Sequence, residues 1–365
     1  MKIYKVVFFF LFILIAFIFS NKFNNYIDEQ KFVKIIIFII ILGYFLISLF
    51  SNSKIQKMLN VLIIYFIFCA YLLNLLLATP YYYNSDKHQT KKEYKKLGIP
   101  FDERSPFEYI SDNKSEKLFP LVSPREIMKK NDSLILSNIS NAKYIQCNEF
   151  GFWKKINTDK YGFNNDIANN KYDILISGDS FAHGFCVDKD KEVHNLLKEA
   201  GVTAYSAGIA GNGPLLTLAT IIEIQKKIEF NEIYWFFYRN DFYDLLWESK
   251  NKELIKYLEK NYNGQNYFNK LDSKNKFQKL FISKNLNQKK DFSFKESFFE
   301  LKFLDYYFKN IFLDSRKIKI DENLIKKIFY IFDYKFKHLN KHLIYIPDQS
   351  CFIQKYNCEE ELKIL

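Results

Sequence analysis

The chain has 365 residues, of which 48% are hydrophobic and 19% aromatic, a composition that excludes a disordered protein and a fibrous repeat. Its formal net charge of +12 would by itself suggest nucleic acid or an anionic membrane surface as a partner. Only four of its basic residues are arginines, whereas proteins that recognise bases and phosphates rely on the forked guanidinium group. We therefore predict that the chain does not bind nucleic acid.

Three long apolar stretches occupy the first 79 residues, and they comprise Val6–Ser20, Ile35–Ser53 and Met58–Ala78. A helix of about 20 mostly apolar residues crosses the hydrocarbon core of a bilayer. We predict three transmembrane helices at about residues 5–21, 34–52 and 58–78, with the lipid bilayer as a partner. The first stretch could instead be a cleaved signal peptide, but no small-x-small cleavage site precedes residue 21.

The rest of the chain is predicted to hold a juxtamembrane lead-in at residues 80–170 and one domain at residues 171–365. The lead-in is polar and turn-rich. The domain alternates short apolar runs with segments of helical spacing, a pattern typical of a parallel sheet covered on both faces. The predicted strands are Tyr172–Ser177, Val202–Ser206, Glu232–Tyr238 and His342–Pro347, and a mostly helical insertion is expected at residues 241–340.

Chemistry-bearing residues follow three of these strands. Gly178, Asp179 and Ser180 follow the first, a glycine-rich turn at residues 206–214 follows the second, and the third ends in Asn240 and Asp241. The carboxyl edge of a parallel sheet is where α/β proteins bind ligands. A hydroxyl, a flexible backbone N–H and a side-chain amide at that edge are what acyl transfer needs, although each turn alone is common in proteins.

With these three blocks, residues 148–348 resemble the SGNH (GDSL-type) hydrolase family. The resemblance implies a flavodoxin-like parallel-sheet fold with Ser180 as nucleophile and with Gly211 and Asn240 as oxyanion donors. Gly208 is the alternative for Gly211. Supporting roles fall to Gly178, Asp179 and Asp241, with Asp179 holding the turn together, and Tyr238 stands where the family usually has a glycine.

One expected element is missing. The family carries an Asp-x-x-His beyond the last strand, which supplies the general base, but Asp348–Leu365 contains no histidine. Either the domain is incomplete at its C-terminus, the interpretation that we favour, or the protein has lost its base and binds without hydrolysing. His183 is near Ser180 in sequence, but its geometry would differ from that of the family's base. The other histidines are expected to be structural or distant, and they are His88, His194, His338 and His342.

The cysteines bear on the compartment. Cys147 and Cys186 flank the first strand and the Ser180 turn, so they could form a disulfide that braces this turn or could remain as two thiols. Cys351 and Cys358 are a second candidate pair. None has metal-ligand spacing combined with histidine, so we predict no metal and no organic cofactor.

Disulfides would require an oxidising compartment, and the resemblance to SGNH hydrolases, together with a membrane anchor, implies the same side. We therefore predict an extracytoplasmic C-terminal domain on a bacterial inner membrane, although the lysine distribution favours a cytoplasmic tail. The expected function is that of a membrane-anchored serine hydrolase acting on ester bonds. Its substrate would be an acylated small molecule, glycan or lipid, for example an O-acyl group of the envelope. The alternative is a non-catalytic SGNH-fold binding or scaffold protein.

Overall fold

The computed structural model describes residues 43–44, 53–83, 86–129, 133–166, 168–286, 298–299, 301–304, 306–307 and 321–347. The chain divides into two compact units. One consists of Met1–Glu93 and Lys290–Ile318, and the other of Tyr94–Lys289 and Lys319–Leu365.

Helix α1, Ser53–Tyr83, dominates the described part of the first unit. Its stretch Ser53–Ala78 is, within the residues that the structure describes, the one helix long and apolar enough to cross a membrane. The helix begins before the predicted residue 58 and continues past Pro80 to Tyr83, although a proline there removes one backbone donor and crowds the carbonyl of the preceding turn. The predicted spans at 5–21 and 34–52 lie outside the described residues, apart from the helical Gly43 and Tyr44.

The segment predicted as a lead-in contains regular structure. Its helices are α2 (Asp86–Lys96), α3 (Pro106–Asp112) and α4 (Pro124–Lys129), and its strands are β1 (Leu118–Pro120), β2 (Lys143–Ile145) and β3 (Lys155–Asn157). The strands form a small sheet in the order β1-β2-β3, in which β1 and β2 are parallel and β3 is antiparallel to β2. Each strand has three residues, too few for an alternating pattern to be visible in the sequence.

A four-stranded parallel sheet lies at the centre of the second unit and confirms the predicted α/β class. Its strands are β4 (Lys171–Ser177), β5 (Ala204–Ser206), β6 (Glu229–Tyr238) and β7 (Asn340–Ile346), in the order β5-β4-β6-β7. The helices of this unit after β4 are α5 (Ser180–His183), α6 (Val193–Glu199), α7 (Pro214–Ile224), α8 (Asp241–Glu248), α9 (Lys252–Ile255), α10 (Leu271–Leu286) and α11 (Glu322–Lys335).

Side chains alternate between the two faces of this sheet, as the period of a strand requires. Leu175, Trp235 and Phe237 belong to the large core that includes α7 and the buried face of α11. Ile176 and Phe236 belong to a smaller core on which α6 packs. Both faces are therefore covered, which explains why β4 and β6 read as nearly continuous apolar runs.

Candidate active site

The strand order brings the three predicted turns together. Strand β4 lies between β5 and β6, and all three run in the same direction. Their carboxyl ends therefore meet at one edge of the sheet, with the Gly178–Ser180 turn in the middle. The turn after β5 lies on one side of it and the turn after β6 on the other.

Glycine is required at position 178. Gly178 has φ +146°, and a Cβ at this position would come within 2.5 Å of the Phe236 carbonyl oxygen on β6. The chain then turns into the short helix α5, whose first free N–H groups need an acceptor. The buried Asp179 carboxylate supplies it, because its Oδ1 accepts a hydrogen bond from the Phe181 N–H at 3.0 Å. Ser180 is thus held at the start of α5.

Three polar groups around Ser180 converge on the same carboxylate. The Ser180 hydroxyl donates to Asp179 Oδ2 at 3.3 Å, and the Ser180 N–H and the Asn240 side chain lie close enough to this carboxylate to lower its pKa. Burial raises the pKa of Asp179, whereas these neighbouring polar groups lower it, and burial is the larger effect. The predicted nucleophile and the predicted amide donor therefore lie next to one another.

Asp241 stabilises the turn from which Asn240 projects. Its Oδ2 accepts a hydrogen bond from the Tyr238 N–H at 3.1 Å, and its side chain is almost entirely buried. Burial, together with the nearby charge of Asp179, raises the pKa of Asp241 well above its usual range. The two adjacent carboxyl groups therefore favour one negative charge over two.

The glycine-rich turn after β5 contributes backbone rather than side chains. A Cβ on Gly208 would lie 2.5 Å from Ala182 Cβ and from the His183 backbone nitrogen, so Gly208 packs directly against α5. Gly211 has φ +86°, and a Cβ added at this position would lie 3.0 Å from the Ser123 Cβ. Of the two glycines that the resemblance allows, Gly208 is the one in contact with α5, and Gly211 forms the bend that follows.

Asn212, the residue after this bend, is not among the site residues predicted from the sequence. Asn212 is buried, and neither atom of its side-chain amide has a hydrogen-bond partner among the described residues. Its only sequence signal is a polar residue between two glycines, which is common in solvent-exposed turns.

No described histidine side chain is hydrogen bonded to Ser180. His183 is fully buried, and neither of its ring nitrogens has a partner in the described part of the chain. Burial lowers its pKa to about 4. It is thus a neutral core residue rather than a base directed at Ser180.

The other histidines lie elsewhere. His194 pairs with Glu192 at 3.4 Å and His342 with Glu232 at 3.3 Å, while His338 is exposed. The side chain of His88 and all of Asp348–Leu365 lie outside what the structure describes.

A disulfide joins Cys147 and Cys186, whose Cα atoms are 5.9 Å apart. The Cys186 N–H also donates to Gln146 Oε1 at 2.9 Å. The bridge ties the loop after α5 to the segment that follows β2, and so restrains the chain on the C-terminal side of Ser180. Cys69 in α1 is unbridged, and Cys351 and Cys358 lie outside the described residues.

Within the described residues, no group of three or more histidine, cysteine, aspartate or glutamate side chains is arranged to hold a metal ion. No protein-family model matches the chain, and no curated protein matches its sequence. The evidence for function therefore lies in the arrangement of Ser180, Asn240 and the turns around them.

Proposed function

We propose that this chain is a membrane-anchored serine hydrolase of the SGNH type, with a flavodoxin-like domain that acts on ester bonds through Ser180. One observation carries the proposal. The Ser180 hydroxyl donates to Asp179 Oδ2 at 3.3 Å, and the Asn240 side chain lies near the same carboxylate, at the carboxyl edge of a parallel sheet. Acyl transfer needs a nucleophilic hydroxyl with hydrogen-bond donors close to it, and Ser180 and Asn240 supply these two kinds of group.

In the proposed reaction, Ser180 Oγ attacks the ester carbonyl, and the acyl group moves to the serine as the alcohol leaves. A side-chain amide has two N–H donors, and Asn240 would offer one of them to the oxyanion. A backbone N–H of the Gly208–Gly211 turn is the further donor that the resemblance implies. Water then hydrolyses the acyl-enzyme, or a second alcohol accepts the acyl group.

The proton of Ser180 needs an acceptor. The resemblance places a histidine base beyond β7, but residues 348–365 contain no histidine. Among the described residues, the Asp179 carboxylate accepts the hydrogen bond of the Ser180 hydroxyl, so it is the acceptor that the structure offers for this proton. Such a base would also return the proton to the leaving alcohol, as general acid–base catalysis requires.

Two features of the structure support the location that we propose. The stretch Ser53–Ala78 can cross a bilayer, and the disulfide between Cys147 and Cys186 is typical of an oxidising compartment. We therefore propose an extracytoplasmic domain on a bacterial inner membrane. Substrates in reach of such a domain include O-acyl groups on envelope glycans, lipids and acylated small molecules.

A non-catalytic binding or scaffold protein is the second candidate. One observation favours it: none of the described histidine side chains is hydrogen bonded to Ser180, whose hydroxyl donates to a carboxylate. Such a protein would retain the turns at the sheet edge and bind an acylated ligand there without cleaving it.

A fluorophosphonate probe distinguishes the two, because it labels only serines whose hydroxyl is activated. We expect the full-length protein to be labelled at Ser180 and the Ser180→Ala variant to remain unlabelled. Ser177→Ala is the matched control and should still be labelled, because the Ser177 hydroxyl is buried at the end of β4 and has no partner among the described residues. A full-length protein that is folded but unlabelled would support the binding protein instead.

A further inference from the structure

A polar side chain lies inside the apolar stretch of α1. Asn74 is fully buried and precedes the last residue of that stretch, Ala78, by one helical turn, about 6 Å along the axis. A side-chain amide at this depth is costly in a bilayer unless both its donor and its acceptor are hydrogen bonded. We therefore expect the Asn74 side-chain amide to be hydrogen bonded to another part of the protein.

Both halves of the Asn74 amide bond to the backbone of one distant segment. Asn74 Nδ2 donates to the Phe298 carbonyl at 3.1 Å, and Asn74 Oδ1 accepts from the Leu304 N–H at 2.9 Å. One turn earlier on α1, the Tyr71 hydroxyl donates to the Phe299 carbonyl at 3.4 Å. The segment belongs to the same compact unit as α1. We call its described residues, 298–299, 301–304 and 306–307, the docked segment.

The docked segment is an interrupted helix, which explains why it needs these bonds. It is helical at 298–299 and 302–304, but Leu301 between them has φ +55°. Such a break leaves backbone groups without helical partners, and a bilayer contains no water to replace them. Broken helices occur at membrane depth only where protein groups satisfy the backbone. After the break, Asn74 Oδ1 accepts a hydrogen bond from the Leu304 N–H. Before it, the Phe298 carbonyl accepts hydrogen bonds from both the Leu301 N–H, at 3.1 Å, and Asn74 Nδ2.

The apolar contacts agree with this placement. Leu301 and Leu304 are buried and pack against Ala70, Tyr71 and Leu77 of α1, all within the stretch that can cross a membrane. Aromatic side chains on the docked segment remain outside this contact, since Phe299 is 61% exposed and Tyr306 is 41% exposed. Aromatic residues are enriched where a bilayer meets water.

We propose that the docked segment lies in the bilayer, at the boundary between acyl chains and headgroups beside the C-terminal end of α1. Asn74 is the residue that holds it there. The chain would then enter the membrane a second time, more than 200 residues after α1. This inference depends on α1 crossing the bilayer, but it does not depend on the hydrolase activity of Ser180.

Quenching by brominated lipids tests the membrane depth. The full-length chain, reconstituted in phosphatidylcholine vesicles with brominated acyl chains, would carry Phe299→Trp, Phe66→Trp on α1 or Tyr330→Trp on α11. We expect quenching beyond that of the native tryptophans for the first two variants and none for the third, although Tyr330 is 52% exposed. Quenching at Phe66 but not at Phe299 would overturn the proposal, as would a Phe299 signal no stronger than that at Tyr330. An unquenched Phe66 variant would overturn it too, because α1 would then not lie in the bilayer.

A cysteine cross-link tests the role of Asn74. The rings of Tyr71 and Phe298 are 5.4 Å apart, so Tyr71→Cys and Phe298→Cys in a Cys69→Ala background should be joined by a short bis-maleimide reagent, detected as a linked peptide pair by mass spectrometry. Adding Asn74→Leu should abolish the cross-link, whereas Asn60→Leu, a change at an exposed asparagine of α1, should leave it intact. A cross-link that survives Asn74→Leu, or that never forms in the parent, would overturn the proposal.

Discussion

At the scale of single residues, burial sets the charge state around the candidate active site. Asp179 and Asp241 are buried and close together, and burial raises the pKa of each. The Asp179 carboxylate accepts hydrogen bonds from the Ser180 hydroxyl and the Phe181 N–H, so it is the one better suited to carry the negative charge. The turn before α5 is therefore organised by one buried carboxylate.

His183, on the same short helix, gives a prediction for pH dependence. Burial lowers its pKa from 6.5 to about 4, so the folded protein binds fewer protons than the unfolded chain between these values. Stability should therefore fall as the pH drops from about 6.5 to 4, by up to about 3 kcal/mol from this group. In His183→Met, which cannot titrate, urea unfolding at several pH values should show a correspondingly smaller loss.

His338→Met is the control for this experiment, because His338 is exposed. Its pH dependence should match that of the wild type. If His183→Met also followed the wild-type curve, His183 would not be a buried neutral residue.

At the scale of elements, Glu248 on α8 stabilises the beginning of α7. Its Oε1 accepts from the Gly213 N–H at 2.7 Å and its Oε2 from the Leu215 N–H at 2.8 Å. These N–H groups belong to the start of a helix and would otherwise lack acceptors. Since α8 follows Asn240 and α7 follows the glycine-rich turn, this one side chain couples two of the three turns at the candidate site.

Replacing Glu248 by Gln should destabilise the protein without changing side-chain volume. The amide keeps one acceptor oxygen and turns an NH₂ group toward a backbone donor, so a buried N–H loses its partner. We expect a loss of about 1–3 kcal/mol in the free energy of unfolding, measured by urea denaturation. Glu259→Gln, at an exposed position, should change it little, and equal effects of the two substitutions would contradict the role of Glu248.

At the scale of the whole molecule, the redox state of the disulfide reports on which side of the membrane the second unit lies. A structural disulfide forms in oxidising compartments and is rare in the cytosol. If the second unit is extracytoplasmic, Cys147 and Cys186 should be bridged in cells. If it faces the cytoplasm, the same cysteines should be reduced.

Thiol alkylation of the chain expressed in intact cells measures this directly. With a maleimide-polyethylene glycol reagent added to acid-quenched, denatured samples, we expect reduction to expose two more thiols in the wild type than in the Cys147→Ser/Cys186→Ser variant. The same number of additional thiols in both proteins would mean that the pair is reduced in cells, and would contradict an extracytoplasmic domain.

The order of strands and helices in the α/β domain could be predicted because buried parallel strands are short apolar runs that differ from helical spacing. The small sheet β1-β2-β3 could not, because its strands are three residues long. Within the candidate site, Gly178 could be placed from its position after a buried strand, since a sharp turn there needs a residue without a side chain. The proximity of Gly208 to α5 could not, because it depends on how the turn after β5 packs.

By itself, the sequence determined the features that arise from local periodicity and turn chemistry: the apolar stretch at residues 58–78, the parallel-sheet pattern and the Gly178–Ser180 turn. Only the tertiary structure decided which distant groups meet. It placed β6 beside β4, so that Asn240 reaches Asp179, and it buried His183 away from any partner among the described residues. It also brought the docked segment to Asn74. Periodicity records which face of an element is buried, whereas a contact between residues far apart in the chain depends on how whole elements pack.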